Sequence, residues 1–339
     1  MFFEVDFISA TADQCDPDDW NYFSATDTNA WIAVIVAFDL YIAIANEGST
    51  GQDTAHLIMT SPDGETWTER ATTTSGGLNA DEWTDLAFNG SRVCGCSTDG
   101  SDGRIIYSDD GITWNYTTDA DTSRTAWNAI GAGEGRFIAV GVLNSGADTI
   151  YSDNGGDNTW THLNSGIESG VVWNDIAHNG VDTWVSVGSH ASPSGKTLIR
   201  YSTNNGVTWT GTTTGVPENA WQACCWSETF GVFIAVSNTG TNNRFIKSTD
   251  GITWSTAGTS VNDDWRDVVE AEGTVVVIGD TDVIAISFDL STWDTRSAPG
   301  DQDWEGLAFM TDVGFVAVST NHDVVNAPFD VSRVMKAVC

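Results

Sequence analysis

The sequence is poor in cations. Lys and Arg number 13 against 47 Asp and Glu, which gives a formal net charge of −34 over 339 residues. A chain without the cations that displace phosphate counterions is not a nucleic-acid binder. The same charge disfavours anionic membrane surfaces. Long apolar runs are absent too. The nearest, residues 31–45, is broken by Asp39 and reads as two strands rather than a membrane span. The opening MFFEVDFISA lacks a basic segment, and Glu4 and Asp6 interrupt its apolar stretch, so no signal peptide is expected.

Cysteine is sparse and badly spaced for metal. The six are Cys15, Cys94, Cys96, Cys224, Cys225 and Cys339, with no CxxC pair and no Cys/His zinc spacing. Cys94 and Cys96 are expected to be small buried hydrophobes. Cys15 and Cys339 lie near opposite ends and can pair only if those ends meet. The five His are scattered, and no GxSxG elbow exists. Ser194-Gly195-Lys196-Thr197 imitates the end of a phosphate-binding loop, but His190 stands where its first Gly should be.

What is abundant points to strands and turns. Sixteen Trp and 40% apolar residues supply a core, so the chain is not an acidic disordered tail. Asp outnumbers Glu 35 to 12, and Thr, Ser, Asn and Gly are common. These are turn and strand formers, and the fold class expected is all-β.

Internal repetition carries the rest. Ser61-Pro-Asp63-Gly64-Glu-Thr66-Trp67 recurs as Ser108-Asp-Asp110-Gly111-Ile-Thr113-Trp114 and as Ser248-Thr-Asp250-Gly251-Ile-Thr253-Trp254. Looser copies run from Ser152 to Trp160, from Ser202 through Gly206 to Trp209, and from Ser287 through Asp289 to Trp293. A second series is Trp31, Trp83, Trp127, Trp173, Trp221, Trp265 and Trp304, spaced 52, 44, 46, 48, 44 and 39 residues apart. Each unit reads as four short strands joined by turns: a Trp strand, an apolar strand, a strand into the Ser-Asp-Gly turn, and a Thr-Trp strand. That is the pattern of a propeller blade. The Asp caps amides of its own turn, and the Gly accepts the positive φ the turn needs.

These residues resemble the Asp-box, or BNR, repeat of sialidase-like β-propellers. The resemblance spans about Cys15 to the C-terminus. Together with the seven-member Trp series it gives the expectation of a single seven-bladed propeller of four antiparallel strands per blade, covering residues 1–339, with inner strands beginning near 31, 83, 127, 173, 221, 265 and 304. It also implies that the box residues Asp63, Gly64, Trp67, Asp110, Gly111, Trp114, Trp160, Gly206, Trp209, Asp250, Gly251, Trp254, Asp289 and Trp293 are structural, on the blade periphery. The last unit has a degenerate box at Ala327-Pro328-Phe329-Asp330, so closure by N- and C-terminal strands is expected. Trp20 would then join the blade that begins at Trp304, and residues 1–12 would form an extra strand or contact arm.

The family's sialidases need an arginine triad and an activated Tyr. Here the first Arg is Arg70, after the first box, and Arg104-Ile105-Ile106 only echoes the arginine motif, in the wrong strand. No catalytic residue is assigned. Two residues after each inner Trp the sequence reads Ala33, Asp85, Ala129, Asp175, Ala223, Asp267 and Gly306. Asp85, Asp175 and Asp267 are therefore candidate binding residues, converging at a channel mouth to hold a cation or water. The alternative is that each caps a neighbouring strand in its own blade. No cofactor is expected, with Ca²⁺ as a possibility at Asp99 and Asp102 in a Gly-rich loop or Asp280 and Asp282 in a tight turn. Loops between second and third strands are long in the first five units and short in the last two, forming a polar rim with a gap.

The functional expectation is a non-catalytic binding or structural module: a virion component (phage tail, fibre or surface protein) recognising a host or glycan, in a virion or extracellular setting. Its partners would be other structural proteins or a surface glycan. Two alternatives stay open. One is a glycoside hydrolase or lyase acting on a neutral glycan. The other is a cytoplasmic assembly factor binding a protein partner, where an acidic face favours a basic one.

Overall fold

A computed structural model describes residues 20–24, 29–46, 57–70, 82–98, 105–117, 126–142, 148–167, 169–258, 261–297, 303–320 and 333–337. The described strands fall into seven four-stranded antiparallel sheets. Six are blades made of four consecutive strands. In the Trp127 blade, for example, Trp127–Gly133, Arg136–Gly141, Thr149–Ser152 and Thr161–Leu163 pair in that order. The inner strands of successive blades touch around a ring. No helix long and apolar enough to cross a membrane occurs among the described residues.

The picture of seven like units filling the chain is corrected by this topology. The chain builds six complete four-stranded blades, and the remaining sheet is a composite. Its strands are Asp303–Met310, Gly314–Thr320 and Arg333–Ala337, with Trp20–Ser24 added at the outer edge. Trp20 pairs with Ala337 and Ser24 with Arg333. The Trp304 unit therefore holds three strands of its own. Its degenerate box, residues 1–12, Cys15 and Cys339 all lie outside the described residues.

Each inner Trp is at most 1% exposed. In every sheet the pairing of the first two strands slips by one residue directly after that Trp, as between Trp127 and Ala129. This bulge seats the indole between sheets and turns the next side chains toward the ring's centre. The box turns show why their residues recur. Ser108 Oγ accepts from Gly111 N at 2.9 Å, and Asp110 Oδ1 accepts from Ile112 N and Thr113 N at 2.8 and 2.6 Å. Trp114 Nε1 closes the turn onto Gly111 O at 3.3 Å. In the last copy Leu290 takes the Gly position at φ 56°; its N–H still donates to Ser287 Oγ, and the Ser291 and Thr292 N–H groups donate to Asp289 Oδ1.

The box Gly is constrained twice over. Gly206 has φ +75°, and a Cβ there would lie 2.2 Å from Ile138 Cδ1 of the preceding blade. Gly206→Ala is expected to cost about 2–4 kcal/mol, from the left-handed backbone and overpacking together. The urea midpoint checks this, and an unchanged midpoint would contradict the fit.

Further contacts bind blade to blade. Arg136 stacks over Tyr151 at 4.1 Å, pairs with Asp153 at 2.6 Å, and donates to Asn205 O of the next blade's turn at 2.7 Å. Arg92 repeats this with Tyr107, Asp109 and Asn154 O. The composite sheet joins the Trp31 blade through Tyr41 Oη, which donates to Gly314 O at 2.5 Å. Gly306 approaches the Trp31 strand so closely that a Cβ would meet Ala33 Cα at 2.9 Å. Cys94 and Cys96 are buried free thiols. Burial pushes the Cys94 and Cys96 thiols above the usual range.

Candidate functional site at the channel mouth

The inner strands enclose a cavity of about 570 Å³, lined by two or more residues from every sheet except that of Trp127, which contributes one. The residues directly after each Trp are Ile32, Thr84, Asn128, Asn174, Gln222, Arg266 and Glu305. Three of these reach forward to the next blade's Trp carbonyl. Thr84 Oγ1 donates to Trp127 O at 2.8 Å, Asn128 Nδ2 to Trp173 O at 3.2 Å, and Asn174 Nδ2 to Trp221 O at 2.7 Å.

The next position along holds Asp85, Asp175 and Asp267, all three on the cavity wall. The structure brings them to one channel and also shows what each does. Asp85 accepts from Leu86 N at 2.7 Å and, across the blade junction, from Ile130 N at 2.8 Å. Asp175 does the same with Ile176 N and Cys224 N, at 2.6 and 2.7 Å. Asp267 takes Val268 N and Leu307 N, at 2.7 and 2.8 Å. Each carboxylate thus satisfies an amide of its own inner strand and one of the following sheet's. Alternation with Ala or Gly follows from this geometry, because one Asp serves two sheets.

These carboxylates keep some contact with channel solvent, although protein surrounds them on every side. Desolvation therefore dominates their proton affinity. Asp85 is pushed up to about 7, with the amides opposing and the Asp267 charge assisting. Asp267 is pushed up to about 6, again mainly by burial. Asp175 is raised by burial and by the charges of Asp85 and Asp267. Glu305 is raised to about 7 by burial, with Arg266 opposing and Asp280, Asp303 and Asp267 assisting. Arg266 is the one cation lining the cavity among the described residues. Both Asp280 oxygens hold its guanidinium, the second at 2.6 Å, and Glu305 sits 4.0 Å away.

That pairing bears on the calcium candidates. Asp280 is turned to Arg266 rather than toward Asp282, which is exposed in the turn. Asp99 and Asp102 lie outside the described residues. Among the described residues no group of three or more His, Cys, Asp or Glu is placed to hold a metal ion. Of the rim loops, those at 189–196, 238–243 and 279–282 are described.

Sequence reasoning missed one buried charge. Arg200 is fully buried between the Trp173 and Trp209 rings, at 4.1 and 4.6 Å, and meets Asp148 Oδ2 at 3.1 Å from the preceding blade. Thr149 Oγ1 accepts from its Nη2 at 3.1 Å, and Asp148 also accepts from Ser165 N at 3.0 Å and from Ser165 Oγ. The available signal was an Arg at the otherwise apolar start of a third strand, Ile199-Arg200-Tyr201-Ser202.

No family model matches the sequence, and neither does any curated protein. Solved structures do match. The structure titled YCF48 bound to D1 peptide superposes with a TM-score of 0.65 at 12% identity, over 95% of this chain and 97% of that one. The chain is a β-propeller. YCF48 from Cyanidioschyzon merolae gives 0.61 at 13% identity, over 94% and 98% of the two chains. The RRP9 WD40 repeats give 0.64 at 9%, over 94% and 97%. Identities this low establish the propeller and nothing finer, and they do not single out the Asp-box superfamily within it.

Proposed function

We propose that this β-propeller is a non-catalytic module that binds a protein partner at the mouth of its central channel, and that the bound segment is basic. The observation that carries this reading is the channel wall itself. Asp85, Asp175, Asp267, Asp303 and Glu305 line one cavity, and its single described cation is already held by Asp280. A Lys or Arg side chain is the complementary guest. The likeness to a propeller bound to a peptide supports a protein partner over a glycan. A host-recognition role on a virion draws no support from the similar structures.

The fixed geometry of the three Asp suits a static electrostatic wall. Each oxygen already accepts one backbone amide, which holds the carboxylates in place, and a nearby cation is attracted by their charge through space.

The test is fluorescence anisotropy with labelled octalysine and octaglutamate, at low and high salt, beside an assay for reducing ends released from neutral polysaccharides. Octalysine is expected to bind, with an affinity that falls steeply with salt, and octaglutamate is not. Release of reducing ends, or equal retention of both peptides, would contradict the proposal.

A further inference from the structure

The three Asp caps leave a remainder. Seven backbone amides occupy the third position after the inner Trp residues: Val34, Leu86, Ile130, Ile176, Cys224, Val268 and Leu307. Three carboxylates cap two each, which accounts for six. Val34 is the seventh. Its predecessor in the ring is Gly306, which has no side chain to offer.

The direction of the Val34 amide follows from strand alternation. Ala45 N donates to Leu57 O, so Ala45 faces the third strand of its blade. Successive residues of a strand point to opposite edges, so Ala43, two residues back, faces the same way. Val34 is the register partner of Ala43. Its N–H therefore turns away from its own sheet, toward the channel, as the Ile130 N–H does toward Asp85. Val34 is also the only one of the seven that lines the cavity. It is 4% exposed, and Gly306 stands so close that a Cβ on it would lie 3.0 Å from Val34 N. A buried amide without an acceptor costs about 1–3 kcal/mol and calls for a partner.

We infer that the Val34 N–H is the docking point for the partner's main chain: it donates to a backbone carbonyl of an extended segment whose Lys or Arg side chain reaches the acidic wall. This rests on the proposed function and deepens it. A carbonyl fits the site better than a carboxylate, because the surrounding Asp and Glu would repel an anion. The ring then separates two kinds of recognition. The carboxylates select a cationic side chain, and the single uncapped amide fixes where the backbone lies.

The experiment is a selective ¹⁵N-valine spectrum of the full chain, with Val34 assigned from the signal lost in Val34→Ile. Acetyl-Gly-Lys-Gly-amide is titrated in, and n-butylammonium serves as a probe with the cation but no carbonyl. With the peptide, the Val34 signal is expected to move and its hydrogen exchange to slow about five- to tenfold, the protection one hydrogen bond confers. With n-butylammonium, the Val268 signal beside Asp267 is expected to move while Val34 exchange stays as in the free protein. If the peptide shifts Val268 but leaves Val34 exchange unchanged, the inference fails and the channel-binding reading stands. If Val34 is already protected without any probe, a resident water caps it, and the inference fails in that way. If neither probe shifts any channel amide, both fail together.

Discussion

Arg200→Met is expected to destabilise the protein by about 3–5 kcal/mol, because it strands a buried charge. Asp148 is 1% exposed and Arg200 is wholly buried, so neither charge has water to fall back on. Burial pushes the guanidinium down to about 10, which still leaves it charged at neutral pH. Its flat faces fill the space between Trp173 and Trp209. Met restores most of that volume, so the loss reads mainly the charge. The double variant Arg200→Met, Asp148→Asn is expected to recover at least about half of it, since removing both partners leaves no uncompensated charge. Urea midpoints of the parent, Arg200→Met, Asp148→Asn and the double variant check this. A single variant as stable as the parent, or a double variant that is strictly additive, would contradict the account.

The second large effect is a reversed pH dependence. Asp85, Asp175, Asp267 and Glu305 all bind protons more tightly when folded than an unfolded carboxyl does. A carboxyl with a raised folded value gives stability that is complete below its unfolded value, near 4, and lost as pH rises through the folded one. For Asp267, moved to about 6, the loss is at most about 3 kcal/mol, because channel solvent screens part of the charge. The global charge of −34 acts in the same direction. The unfolding midpoint is therefore expected to rise as pH falls from 8 to 5. Asp267→Asn should flatten that rise, whereas Asp294→Asn, on an exposed outer strand, should not. A midpoint that falls over this interval would contradict the raised values.

Much of this architecture is legible in the sequence because each repeated residue has a local job. The Ser, Asp and Gly of a box bond within their own turn, so the turn can be recognised without knowing its surroundings. The inner Trp residues mark the bulges at which the sheets meet. The alternation of Asp with small residues was visible too, but its capping reading placed the capped strand in the same blade, whereas each Asp caps its own strand and the following sheet's. Contacts between distant chain segments are harder to read. The degenerate last box pointed to closure by both ends, with Trp20 in the Trp304 blade, but not to the register of Trp20–Ser24 against Arg333–Ala337. Arg200 and Asp148 lie 52 residues apart on adjacent blades. The uncapped Val34 amide is legible only once Gly306 is known to precede it around the ring.

The claim that the channel mouth is the binding site is tested most directly by placing one positive charge there and one elsewhere. Gln222 lines the cavity, and Thr210 is exposed on an outer strand. Gln222→Arg and Thr210→Arg change the net charge equally, so nonspecific attraction falls by the same amount in both. Octalysine affinity, measured side by side, is expected to drop at least about tenfold in Gln222→Arg and less than about twofold in Thr210→Arg. Equal small losses in the two variants would mean that the peptide reads only the overall charge, and the channel would not be the site.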